Sequence, residues 1–261
     1  MVTTPLNPLG GRTLIVDPKD ERAYARPSDA LEEAGETDQV FVRAGIYEDK
    51  LFLSERPVLL IGEGRDVVQI FSRRGGPLYL QGVKTGRIAG ITFRYVGSDQ
   101  HAAMNLLDSS CTITECRAMN GILSGVLIYG PASRMAFLKN EICDNRESGI
   151  FVFAGAQPRL AENLCHRNDH FGIAVRDCGS HPELVRNRCE RNMLSGILLF
   201  HQAGAFFGDN RCVDNSGWGI VTTPDCACSP AVDALEASNI LSPNSRGTIW
   251  VTENPLSEIG R

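Results

Sequence analysis

The chain has 261 residues, 43% of them hydrophobic, and carries 26 Lys and Arg against 31 Asp and Glu, a formal net charge of −5. This is the composition of a globular chain long enough to bury a core, and its outnumbered, scattered basic residues argue against nucleic acid as a partner. No apolar run approaches the ~20 residues that span a bilayer, the first twenty residues lack the basic and apolar regions of a secretory signal, and nine cysteines fit buried thiols better than a disulfide framework, so a cytoplasmic protein without membrane contact is expected.

In chain order, Leu14-Ile15-Val16 reads as a strand, Ser28 as the cap of a short helix reaching about Ala34, and Val40-Phe41-Val42 and Val58-Leu59-Leu60-Ile61 as strands separated by turns. Residues 87–120 read as two degenerate copies of a unit that becomes clear from Gly125 onward. There, Gly125-Val126, Gly149-Ile150, Gly172-Ile173, Gly196-Ile197 and Gly219-Ile220 recur every 23 or 24 residues. In step with them run Asn140, Asn163, Asn187 and Asn210, each followed five residues later by a second Asn: Asn145, Asn168, Asn192 and Asn215. Between the two Asn sit Ile142, Cys165, Cys189 and Cys212, and three before the first sit Phe137, Leu160, Leu184 and Phe207.

A period in this range marks stacked units, each unable to bury its apolar face alone. The units are too short of helix-length apolar periodicity for helical repeats, and they are rich in Gly, Asn and β-branched residues. The fold class expected is all-β: a single-stranded right-handed parallel β-helix, a solenoid, with a short N-terminal capping helix. Asn at the bends is expected to adopt the left-handed conformation, and Gly to supply a tight corner. Residues 1–55 are assigned to the cap and first coil, 56–253 to the coils of the same domain and 254–261 to a tail. Asn239, Asn244 and Gly247-Thr248-Ile249 repeat the unit after an insertion of about five residues placed around Cys226-Ala227-Cys228, and the segment from Trp250 to Arg261 is the candidate cover for the C-terminal end.

The run from Ser28 to Gly64, S-x-A-L-E-E-A followed by D-Q-V-F-V-R-A-G-I-Y-E-D-K-L-F-L and P-V-L-L-I-G-E-G, resembles the opening of many proteins of the pectate-lyase-like β-helix superfamily. With the later coils, it is most similar to the carbohydrate-binding and sugar-hydrolysis type of repeat, found also in NosD-like proteins and in the β-helix of an F-box ubiquitin-ligase adaptor. That resemblance implies the fold; activity varies across the superfamily among lyases, hydrolases, esterases, epimerases and binding modules. The Asp-Asp pair and G-H-G of polygalacturonase-like enzymes, the Q-D-T and D-F-I-F-G segments of pectin-methylesterase-like enzymes and the D-P-H-E of alginate-epimerase-like enzymes do not occur, so no catalytic residue carries over.

Alternation in the strand after each Gly turns its second and fourth residues outward. This predicts a strip of Leu127, Tyr129, Phe151, Phe153, Leu198 and Phe200, apolar enough to mark an interface, a groove or a covered face. The same register places Asp177 and His201 at equivalent positions of neighbouring coils beside Arg176, a candidate acid/base site with Arg stabilising developing charge; an ion pair of little energetic consequence is the plainer reading. His166, Asp169 and His170 lie close in sequence but match no metal-ligand spacing, and Cys226-x-Cys228 is too short for a zinc half-site. No metal and no cofactor is expected. The readings to be weighed are a module presenting an elongated face to a protein or polysaccharide ligand, a carbohydrate-active enzyme (lyase, hydrolase or epimerase) using Asp177, His201 and Arg176, and a structural domain that forms a homo-oligomer.

Overall fold

A computed structural model describes residues 6–258. The chain winds through about nine turns of a right-handed parallel β-helix, and its three faces are parallel sheets of ten, eight and nine strands among the described residues. In the regular coils each turn contributes one strand per face, as in Ala136–Leu138, Glu141–Cys143 and Ile150–Phe153. These are called the first, second and third sheets below.

The register is the one the periodicity predicts. Phe137, Leu160, Leu184 and Phe207 stack inward on the first sheet, Ile142, Cys165, Cys189 and Cys212 on the second, and Val126, Ile150, Ile173, Ile197 and Ile220 on the third. All are buried in one continuous core. Burying a large aliphatic side chain contributes roughly 1.5–3 kcal/mol, and stacking like on like keeps every coil the same width. Burial pushes the Cys116 thiol of this interior up to about 12.

At the two short corners the Asn residues behave differently from expectation. The left-handed residue is the one before each Asn: Lys139, Glu162, Arg186 and Asp209 leading into the second sheet, and Asp144, Arg167, Arg191 and Asp214 leading out of it. The Asn itself points inward, because its amide can then do what no exposed turn residue could. Asn187, for example, donates from Nδ2 to the Leu160 carbonyl (2.8 Å) and to Oδ1 of Asn210 (3.1 Å), while its own Oδ1 accepts from the backbone and side chain of Asn163. The two ladders end on Asn239 and Asn244. They satisfy corner amides that a parallel sheet leaves without strand partners.

The Gly before each third-sheet strand is likewise there for a different reason. Gly125, Gly149, Gly172, Gly196 and Gly219 do not have left-handed φ; they are close-approach positions. A Cβ on Gly172 would sit 2.7 Å from the Gly196 carbonyl oxygen and 2.8 Å from Cβ of Cys189.

At the N-terminal end, strand Thr13–Val16 pairs with Gln39–Val42, and helix Pro27–Glu33 packs Ala30 and Leu31 over that end of the core. Ser28 is not its cap. Arg26 occupies the N-cap and its side chain caps none of the helix N–H groups, Pro27 needs no hydrogen-bond acceptor, and the Ser28 N–H is taken by the Asp49 carboxylate at 2.8 Å. At the C-terminal end the extra residues do not lie around Cys226-Ala227-Cys228, since strand Ala227–Ser229 pairs in register with Gly204–Gly208. They follow it, as a one-turn 3-10 helix Val232–Ala234 and a short helix Leu235–Ser238, stretching the Asn210 to Asn239 step to 29 residues. Leu235 from this insertion is buried against the last coil. Trp250 continues the third sheet in strand Gly247–Val251 and stacks on Trp218 at 5.9 Å, while residues 259–261 of the expected end cover, and of the assigned tail, fall outside the described residues. No helix among the described residues is long and apolar enough to cross a membrane.

Candidate functional site

The outer face of the third sheet carries two outward columns. One runs Phe52, Tyr79, Asn105, Leu127, Phe151, Ala174 and on to Leu198 and Val221. The other includes Tyr129, Phe153, Arg176 and Phe200. The face divides into two halves. Toward the C-terminus, Leu198 and Phe200 are only 1% and 5% exposed, because Phe171, Leu194, Trp218 and Trp250 from their own corners and strands close over them in a second apolar cluster. Toward the N-terminus nothing among the described residues covers the strip: Phe52 is 58% exposed, and Tyr79, Leu127, Tyr129, Phe151 and Phe153 are half-buried.

The open half is organised. Phe52 stacks on Tyr79 at 5.1 Å, Tyr129 lies face to face with Phe153 at 5.0 Å, and the Arg176 guanidinium sits 5.3 and 5.5 Å from the centres of Phe151 and Phe153. Such ring and cation contacts each contribute roughly 0.5–1.5 kcal/mol. The hydroxyls of Tyr79 and Tyr129 meet at 3.2 Å across two coils. Burial, and then that hydrogen bond, push the Tyr129 hydroxyl well above the usual phenol range, so Tyr129 stays a neutral hydrogen-bonding group in the strip.

Arg176 also closes on Asp177, Nε to Oδ1 at 3.1 Å, and the other Asp177 oxygen accepts the Ala154 N–H at 3.3 Å. His201 lies one coil on with its ring packed on Phe200 at 4.8 Å. Both Asp177 and His201 occupy left-handed positions at the strand end. Asp177 thus engages Arg176 and its neighbouring coil's backbone, and His201 engages an aromatic ring.

A second cluster of ionisable groups lies on the outer face of the second sheet. Glu141 accepts from Arg117 (2.9 Å) and from His166 Nε2 (3.1 Å); Arg117 also reaches Asp66 (2.8 Å), and Arg167 joins both Asp144 oxygens (2.8 and 2.9 Å) while donating to His166 Nδ1 (2.8 Å). An arginine can only donate, so these partners place the imidazole proton on Nε2. Burial pushes the Glu141 carboxyl up, but the bonds from Arg117 and His166 outweigh it and hold the group below the ordinary carboxylate value.

Glu141, Cys143 and His166 bring donor atoms within 4.8 Å of one another. Both Glu141 oxygens and both imidazole nitrogens are already engaged, burial and then Asp144 push the Cys143 thiol up to about 12, and Arg65, Arg117 and Arg167 surround the trio. The cluster is complete without a cation, and its charge opposes one. Of the residues near His166 in sequence, Asp169 is exposed and His170 packs on Phe171; neither joins this network.

Phe52 and Tyr79 escape a reading keyed to the Gly-and-Asn unit, whose first degenerate copies begin at Arg87. The signal available is the alternation L-F-L-S and L-Y-L-Q at Leu51–Ser54 and Leu78–Gln81. Glu141 is missed because its contact with His166 is diagonal between coils, and spacing reveals only direct stacking.

The profile of the family described as Right handed beta helix region matches residues 78–229, more than half of the chain. No curated protein matches the sequence. Among solved structures, the chain is similar to the pectin methylesterase PemA from Erwinia chrysanthemi, at 12% identity and TM-score 0.59 over 97% of this chain and 95% of that one. It is also similar to the A-module of the Azotobacter vinelandii mannuronan C-5 epimerase AlgE4, at 13% identity and TM-score 0.52 over 88% and 76%. A third likeness is to the catalytic domain of a GH87 α-1,3-glucanase in complex with nigerose, at 14% identity and TM-score 0.62 over 96% of this chain and 46% of that one. Likeness at this level of identity establishes shared architecture.

Proposed function

The chain belongs to the right-handed β-helix family, and from that premise we propose that it is a glycan-binding module whose ligand lies along the open half of the third sheet. The observation that carries this reading is the aromatic strip left uncovered from Phe52 to Phe153, interleaved with hydrogen-bonding groups: the Tyr79 and Tyr129 hydroxyls, Asn105 and Arg176. A protein-binding patch of this size is usually depleted of charge at its core, whereas a sugar offers both C–H faces and hydroxyls and uses apolar and polar partners side by side. The coil spacing of about 4.8 Å is on the scale of one sugar residue, so an extended chain running parallel to the helix axis meets an equivalent coil at each step. The three structural neighbours named above act on glycans by their descriptions, which supports the same ligand class.

The test is binding of a panel of neutral and uronate polysaccharides, followed by calorimetry and affinity electrophoresis. Tyr129→Ala and Arg176→Ala are expected to weaken binding of the responding glycan about tenfold each, in line with losing one aromatic or cation contact and its hydrogen bond. Retention of full affinity in both variants, or no binding across the panel, refutes the reading. The enzymatic alternative is read in the same panel: turnover abolished by Asp177→Asn or His201→Ala assigns a hydrolytic, eliminative or epimerising site beside Arg176.

A further inference from the structure

The corner between the second and third sheets holds a cleft of about 430 Å³, lined by Arg94, Tyr95, Gly97, Asn120, Asp144 and Arg146. Two of its polar atoms are buried and without a hydrogen-bond partner among the described residues: Nε of Arg94 and the hydroxyl of Tyr95, a residue only 1% exposed. Such orphans are rare and costly, because a buried donor stripped of water loses its full solvation. The cleft's charge is also unbalanced. Its one acidic residue, Asp144, has both oxygens committed to Arg167, while neither Arg94 nor Arg146 has a carboxylate partner among the described residues. Gly97 lets the backbone pass close to that hydroxyl, since a Cβ there would fall 2.1 Å from the Tyr95 hydroxyl and 2.3 Å from the Arg73 carbonyl oxygen.

Donors without acceptors, two arginines without counter-ions and a volume within the range of small-ligand sites have one chemistry in common. We propose that this cleft is an oxyanion-binding site that takes the carboxylate or phosphate of a small, sugar-sized molecule, with Arg94, Arg146 and the Tyr95 hydroxyl as its donors. Guanidinium groups suit both anions, planar or tetrahedral, through charge-assisted bonds. The site is separate from the strip on the third sheet and does not depend on a glycan binding there.

Sodium glucuronate, glucose 6-phosphate, inorganic phosphate and neutral glucose are titrated into the whole protein by calorimetry at low ionic strength, with thermal midpoints recorded in parallel. Saturable binding of at least one anion and none of glucose is expected. The arms separate the sources: a response to glucuronate identifies a carboxylate, a response to glucose 6-phosphate or phosphate identifies a phosphate, and any of these supports the site. Arg146→Gln, at an exposed position, and Tyr95→Phe are each expected to weaken binding roughly tenfold or more. Tyr95→Phe serves as the control on folding, because deleting an unsatisfied buried hydroxyl leaves the ligand-free protein as stable as before or more so. Absence of binding by every anion overturns the proposal. So does binding that both variants retain at wild-type affinity, which places the anion elsewhere on the surface. Tyr129→Ala, in the strip, leaves anion binding unchanged, so failure of one reading is distinguishable from failure of the other.

Discussion

Replacing Asn187 by Ala tests whether the buried Asn ladders hold the coils together. The side chain makes four hydrogen bonds, two given to Leu160 O and Asn210 Oδ1 and two received from the backbone and side chain of Asn163. The Asn163 N–H is left buried with no acceptor. At about 1 kcal/mol net for each bond, and on the order of 1 kcal/mol more for the cavity, the expected loss is about 4 to 5 kcal/mol, a large part of the 5–15 kcal/mol by which domains are stable. Urea unfolding followed by circular dichroism measures it, and hydrogen exchange at the Asn163 amide locates it, since in a solenoid the loss can appear as local opening of the adjacent coils rather than a shifted global midpoint. Asn187→Asp keeps the acceptor but turns a negative oxygen toward the Leu160 carbonyl and the Asn210 oxygen. Burial raises the folded-state pKa of such an acid above its unfolded value, so its penalty grows with rising pH and recedes as the pH falls. A loss below about 1 kcal/mol for Asn187→Ala, with the Asn163 amide still protected, refutes the ladder as a principal support.

Two further tests concern the close-approach glycines and the N-terminal cap. Gly172→Ala places a Cβ 2.7 Å from the Gly196 carbonyl and is expected to cost about 1–3 kcal/mol by overpacking; a neutral or stabilising result in the same urea assay means the site selects glycine for some reason other than space. Asp38 accepts from the side chain of Arg12 (2.7 and 3.1 Å) and from the backbone of Arg12 and Gly35, and these bonds hold its carboxyl at about 2, below the ordinary 3.8. Because the folded value is the lower, the stabilisation is present above pH 4 and is lost as the pH falls toward 2. Thermal midpoints recorded across that window should fall more steeply for the wild type than for Asp38→Asn, and parallel curves refute the assignment.

Much of this was legible from spacing. A period of 23 to 24 residues with Phe137, Leu160, Leu184 and Phe207 at one phase, and Ile142, Cys165, Cys189 and Cys212 at another, is enough to stack the coils in register, because a one-residue slip between parallel strands would turn every buried side chain to solvent. The short helix over the N-terminal end was legible too, though not its cap, since Pro27 and the distant Asp49 made the Ser28 side chain unnecessary. The Asn and Gly positions were found, but their physical role was not: both are defined by atoms of the next coil, 23 or 24 residues away, which periodicity aligns but does not measure.

The outer surface was decided by the tertiary structure. Alternation assigns Leu127, Phe151, Leu198 and Phe200 to one outward strip without distinguishing them, yet Phe171, Leu194, Trp218 and Trp250 cover the last two and leave the first two open. Nothing in the spacing joins Glu141 to His166, or leaves Arg94 and Arg146 in one cleft without a carboxylate partner among the described residues. The inside of a β-helix is one-dimensional, each ladder repeating a local choice, so the sequence by itself determines it. Its outside is two-dimensional: corner side chains of differing length reach diagonally across coils, and which of them cover, pair or leave a gap is set only when the whole surface is folded.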